Sequence, residues 1–245
     1  MRYAIYYTAS SDSDLTRLGS TWLGRDAYSD DEIAQPAISR IPAPRMAELT
    51  ASPRRYGFHA TMKAPFRPKQ GATETALFER FDRFCAQTAP VLLPDGLAVT
   101  KLGHFLALTP ATPSTALNDL ASYCVKEFDA FRQDLSPEDL QKRRPASLSD
   151  RQSSYLTRWG YPHVFDEFRF HMTLSISLID ADDAYLLTDA CRDYFNSVTN
   201  CPLRIDRLAI CVEPAPGAPF VISHSEPLTG LAAAPPTALA GQETL

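Results

Sequence analysis

Two five-residue segments constrain this 245-residue chain more than any other feature. Residues 58–62 read Phe-His-Ala-Thr-Met and residues 170–174 read Phe-His-Met-Thr-Leu, 112 positions apart. Each alternates apolar and polar side chains, which is the period of a half-buried strand. On such a strand His59, Thr61 and Lys63 share one face, with Phe58, Ala60 and Met62 on the other. His171, Thr173 and Ser175 likewise oppose Phe170, Met172 and Leu174. Each strand thus buries an apolar row and presents an imidazole beside a hydroxyl. If the two segments pair about a pseudo-twofold axis, two histidines and two threonines meet across a cleft.

The remaining pattern fits a sheet-based α+β fold. Residues 2–8 read as an opening strand rich in aromatic and β-branched residues. Residues 14–28 suit a helix or long loop. Residues 34–53 carry Pro36, Pro42, Pro44 and Pro53 and read as an irregular connection. The alternation predicts a strand over 56–66 ended by Pro65, a helix over 73–88, and strands over 91–101 and 103–109. A helix over 114–131 starts at the cap candidate Ser114. Residues 132–160, polar and basic with a capping-type SPEDL at Ser136, suggest an inserted helical arm. A strand over 167–178, a helix over 181–197 and strands over 203–213 and 218–224 close the chain. Strand–helix–strand–strand occurs twice, the outline of a duplicated unit. One domain is expected over 1–228, followed by a disordered Ala/Pro/Gly/Thr tail over 229–245.

Composition narrows the classes. Apolar residues make up 44% and charged residues 22%, a globular mixture. No stretch approaches the ~18 apolar residues of a membrane span, and the N-terminus lacks the apolar core of a signal peptide, so a cytoplasmic protein without membrane contact is expected. The five cysteines are odd in number and form no CxxC pair, which disfavours zinc ribbons and disulfide scaffolds. Net charge is −5, yet residues 40–69 hold seven Lys/Arg against one Glu, a local +6 beside −11 elsewhere. A basic island in an acidic chain suits a compact anionic ligand better than a long phosphate backbone.

The two H-x-T pairs suit phosphate chemistry. A neutral imidazole takes a proton from an attacking oxygen and an imidazolium gives one to the departing oxygen, near the histidine pKa of ~6.5. Thr61 and Thr173 can donate to phosphate oxygens, and Lys63 adds a point charge. Tyr56 and Tyr161 flank the motif blocks and are candidate sugar, base or phosphate contacts. Arg54 and Arg55 are candidate anion attractors, and Tyr7 a candidate cleft wall. Arg158 and Trp159 in the arm are lid candidates. His104, His163 and His224 stand outside the motifs and read as structural.

At these residues the sequence resembles the 2H phosphoesterase superfamily, whose relatives include LigT-like cyclic phosphodiesterases. The blocks RYAIYYT, RRYGFHATMKAPF at 54–66 and RWGYPHVFDEFRFHMTLS at 158–175 are similar to its DUF1045 branch, found with phosphonate-utilisation genes. The resemblance implies a two-lobed, duplicated LigT-like fold with antiparallel sheets flanking a central cleft. It implies His59 and His171 as acid/base pair, Thr61 and Thr173 as phosphate holders, and neither cofactor nor metal. The implied activity is metal-independent hydrolysis of a small cyclic phosphodiester, such as a cyclic ribose phosphate. One alternative keeps the enzyme and changes the substrate to RNA ends carrying 2′,3′-cyclic phosphate, helped by Lys142, Arg143, Arg144 and Arg151. The other is a phosphate-ligand binding protein without turnover.

Overall fold

Segment RYAIYY forms β1 (Arg2–Tyr7), with five of six residues buried. Both of its faces are covered: Tyr3, Ile5 and Tyr7 enter the main core, while Ala4 and Tyr6 join a smaller cluster with Ala209, Cys211 and Phe220. The computed structural model describes residues 1–143 and 148–231. Helix α1 (Asp14–Leu23) starts where the Ser13 hydroxyl accepts the Thr16 N–H and stops at Gly24, φ +79°.

The proline-rich stretch differs from expectation. It holds two short helices, α2 (Ala43–Leu49) and α3 (Ala51–Tyr56). Pro42 is the N-cap of α2, Pro44 lies in its first turn and Pro53 in the first turn of α3. First-turn N–H groups have no intrahelical acceptor, so proline loses nothing there.

β2 (Ala60–Phe66) runs antiparallel to β1. Helix α4 (Glu74–Gln87) is capped by Thr73. The strand expected over 91–101 breaks at Gly96, φ +65°, into β3 (Val91–Leu93) and β4 (Leu97–Leu102). β5 (Phe105–Pro110) follows, then α5 (Thr115–Glu127), capped by Ser114 and continued by a 3-10 turn over Phe128–Phe131. The arm carries α6 (Pro137–Arg143) and α7 (Asp150–Trp159), the latter opened by a reciprocal Ser149–Gln152 capping box. Arg144 lies outside the described residues.

The strand expected over 167–178 shrinks to β6 (Met172–Thr173). Beyond it the backbone donors leave the ladder: the Ile176 N–H goes to the Leu49 carbonyl at 2.7 Å and the Leu178 N–H to the His104 carbonyl at 2.6 Å. Those amides are satisfied without a strand partner, so apolar alternation persists where regular pairing does not. Helix α8 (Ala181–Tyr194), β7 (Leu203–Ile205), β8 (Arg207–Glu213) and β9 (Val221–Pro227) complete the chain.

The architecture is α+β with antiparallel sheets. Seven strands run in the order β4-β5-β6-β2-β1-β8-β9, and β3 pairs with β7 separately. The expected two sheets flanking a cleft are therefore replaced by one continuous sheet whose two halves join at β6–β2 through Ala60 and Met172. Helix α5 packs on β2, α4 on β8 and β9, and α8 on β4, burying one face in the main core. The stretch expected to be a disordered tail is held at its start: the Thr229 N–H donates to the Cys85 carbonyl and the Gly230 N–H to that of Thr88. Residues 232–245 lie outside the described residues. Cys85, Cys124, Cys191 and Cys211 are buried free thiols, and Cys201 is exposed. Among the described residues no helix is long and apolar enough to cross a membrane.

Candidate active site

The join between the sheet halves builds the site. Ala60 sits across from Met172 in antiparallel register. One step either way, His59 comes opposite Thr173, and Thr61 opposite His171. Ala60 and Met172 are both fully buried in the main core, so their neighbours project to the other side. Directly opposed side chains in such a pair stand ~4.5–5.5 Å apart at Cβ. Thr61 also lies across from Tyr6 on β1, which places the group on the Tyr6–Phe220 face.

Local backbone geometry aims the rings. Gly57 closes α3 at φ +76°, and a Cβ there would lie 2.5 Å from that of Ala27; the left-handed turn lets the chain enter β2 directly. His59 Nδ1–H donates to the Gly57 carbonyl at 2.8 Å. A carbonyl can only accept, so Nδ1 carries the hydrogen. The Thr61 hydroxyl, 3.3 Å from Nε2, then donates to it. His171 repeats the device: Nδ1–H donates to the Arg169 carbonyl at 2.7 Å. His171 Nε2 is left for a ligand, whereas a ligand at His59 Nε2 takes the place of the Thr61 hydroxyl, which is then freed to donate elsewhere.

The surroundings differ. His59 stacks on Tyr6 with centroids 3.8 Å apart and 23° between planes, and Tyr56 tilts against it at 6.2 Å. Burial among these rings pushes the His59 pKa down to about 4, against the pull of the Gly57 carbonyl and with help from the His171 charge. His171 instead has Phe105 at 5.7 Å. Two hollows of about 550 and 510 Å³ meet here. His59 and Thr173 line the first, His171 the second, and Thr61, Ala64, Tyr161 and His163 border both.

The other expected contacts divide. Tyr56 and Tyr161 line the first hollow. Lys63 does not join the group. A register irregularity between Ile5 and Tyr6 pairs Tyr6 with Thr61 but Ile5 with Lys63, so Lys63 turns to the core face. There it is 3% exposed, and Nζ donates to the Val125 carbonyl at 3.0 Å and faces Asp129 at 3.5 Å; burial lowers its pKa to about 8. Arg55 is bound to Glu213 and to the Ala218 carbonyl, and Arg54 to Glu32 at 2.8 Å, so both are committed to carboxylates. Glu213 is almost fully buried between Arg2 and Arg55, and the Arg2 hydrogen bond holds it down to about 2. Tyr7 is fully buried against Phe170 in the main core; by strand parity its neighbour Tyr6 takes the cleft face. Arg158 lies over the Trp159 ring at 4.5 Å and reaches Asp129 at 3.3 Å, while Leu156 of α7 walls the first hollow.

Sequence reasoning missed Tyr6, Arg2, Arg169 and His163. His163, expected to be structural, borders both hollows edge-on to Tyr161 at 5.5 Å. It follows the flagged Tyr161 by two positions, and that proximity was the available signal. His224 stacks on Phe78 and bonds Asp82 at 2.6 Å. With Glu226 these form a group close enough to share a cation, on the α4 side of the sheet and apart from the cleft.

The profile described as protein of unknown function, DUF1045, matches residues 61–221. The chain belongs to the DUF1045 family. It is also 43% identical over 232 residues to a protein of Janthinobacterium sp. (strain Marseille) named ribose 1,5-bisphosphate phosphokinase PhnN, covering 94% of this chain and 51% of that protein. A second protein so named, from Laribacter hongkongensis (strain HLHK9), is 35% identical over 221 residues, 90% of this chain and 50% of that protein. The chain thus spans about half the length of the curated relatives it matches. Among solved structures, TT0787 of Thermus thermophilus is similar with a TM-score of 0.45 and 11% identity, over 94% of this chain and 99% of that one.

These findings bear out the DUF1045 resemblance and correct the activity drawn from it. The curated relatives carry a kinase name, not that of a phosphodiester hydrolase. The expected cyclic phosphodiesterase is overturned on that ground, and its RNA-end variant falls with it.

Proposed function

We propose that this chain is an enzyme of phosphoryl-group chemistry that seats a phosphorylated pentose in the cleft between His59 and His171. The observation that carries the reading is the Ala60–Met172 register, which sets His59 against Thr173 and Thr61 against His171. The relatives' name supplies the ligand class, a phosphorylated ribose.

In this reading one phosphate lies among the four side chains. Thr61 and Thr173 donate hydroxyl hydrogens to its non-bridging oxygens, where charge grows in the transition state. His59, neutral at pH 7 because burial holds its pKa down to about 4, accepts the proton of the attacking oxygen at Nε2. His171 gives a proton to the departing oxygen. Tyr56 and Tyr161 flank the sugar, and the arm carrying α6 and α7 walls the cleft within one domain over 1–228. The matched Nδ1–carbonyl bonds at the two H-x-T segments favour kinship with the two-histidine superfamily and descent by duplication.

Titration calorimetry with ribose 5-phosphate tests the assignment. Wild-type chain binds, and His59→Ala and His171→Ala each weaken binding by ~10-fold or more, a loss of at least ~1.4 kcal/mol. No heat with wild type, or variants that bind equally well, would overturn it.

A further inference from the structure

We infer that the second hollow is a second anion subsite built on Arg169 and bordered by His163, the place that would take the second phosphate of a ribose bisphosphate such as the relatives' name prints. The inference rests on the reading above and extends it from one phosphate to two.

Placement comes first. Phe170 and Met172 are buried in the main core, whereas Arg169 is exposed and lines the second hollow together with His171. Its own carbonyl holds the His171 ring, which ties the backbone of the two groups together while leaving the guanidinium free to face the hollow it lines.

Charge is the second argument. Arginines bordering the cleft and the adjoining smaller hollow are mostly neutralised: Arg2 by Glu213, Arg67 by Asp139, Arg132 by Asp129. Among the described residues Arg169 has no carboxylate within ion-pair distance. It is exposed and lines the same hollow as His171. An unpaired guanidinium, with five donors in a planar fork, is suited to a phosphate or carboxylate arriving from solution.

The third argument is the rest of the lining. Glu167 shares the hollow and accepts from Gln152 Nε2 at 2.9 Å. That pair offers acceptors and donors for hydroxyl groups between two anions, while Phe105, Phe165 and Phe168 give apolar walls. His163 borders both hollows and offers a ring nitrogen as a hydrogen-bonding group. Both hollows share Thr61 and Tyr161, so a single ligand can span them.

The test is titration calorimetry at fixed pH and ionic strength with two probes: ribose 5-phosphate, and the same pentose phosphorylated at both ends. Wild type prefers the doubly phosphorylated probe by ~10-fold or more. Arg169→Ala brings that preference to within two-fold of unity, and Arg169→Lys retains part of it. Circular dichroism and melting temperature verify that the variants are folded. An unchanged preference in Arg169→Ala, or none in wild type, overturns the subsite. If ribose 5-phosphate still binds in a His59-dependent way, only the subsite falls. If neither probe binds wild type, the phosphate reading falls and the subsite with it.

Discussion

The stretches Gly57–Thr61 and Arg169–Thr173 hold their imidazoles alike, Nδ1–H on the carbonyl two residues back at 2.8 and 2.7 Å. Their settings are unlike. His59 leads into a seven-residue strand, stacked on Tyr6 and held to a pKa of about 4. His171 leads into a two-residue strand, tilted against Phe105 and next but one to the unpaired Arg169. The backbone device sets the tautomer in both, and burial among aromatic rings makes His59 slow to take a proton. One local motif used twice therefore sits in two different packing environments.

The largest expected effect breaks the pair. His59→Ala and His171→Ala each lower phosphoryl-transfer turnover on a pentose phosphate by ~10²–10⁴-fold with the fold intact. A variant retaining full turnover would remove that histidine from the chemistry.

The next sharpens the difference between the rings. In nitrogen-detected NMR, His59 stays neutral down to about pH 4. Tyr6→Leu opens its face to water and moves its titration toward the ordinary ~6.5. The folded pKa lies below the unfolded one, so between ~6.5 and ~4 the unfolded chain binds the extra proton. Wild-type stability therefore falls as pH drops through that window. Tyr6→Leu flattens this slope in pH-dependent denaturant melts. A His59 titrating near 6.5 in wild type would contradict the account.

Smaller effects separate the site from its scaffold. Lys63→Ala costs ~1–3 kcal/mol by stripping a partner from the Val125 carbonyl and Asp129. Pentose-phosphate affinity, followed by calorimetry, stays within two-fold. Arg54→Ala changes stability by less than ~0.5 kcal/mol, because its pairing with Glu32 is a surface one. A large affinity loss in either variant would restore an anion role that the geometry denies them.

What the sequence discloses and what it hides follow physical lines. The cap at Ser114 announces its helix because a hydroxyl must meet an otherwise unpaired N–H. The alternation at 58–62 and 170–174 is legible because one face is buried and the other is not. Tyr6 and Tyr7 could not be told apart that way, since β1 is covered on both sides. The Lys63 reversal hangs on a one-residue irregularity that strand alternation does not encode. Four prolines suggested a loop, yet three of them sit where helices tolerate them. The pairing of Arg54 and Arg55 with Glu32 and Glu213 depends on contacts 22 and 158 residues apart, beyond any local pattern.

The account is tested most directly by a crystal structure of the chain with ribose 5-phosphate. It predicts the phosphate in the cleft, its oxygens within ~2.6–3.2 Å of Nε2 on both His59 and His171 and of both threonine hydroxyls. A phosphate bound elsewhere, or one touching only a single histidine, would contradict it.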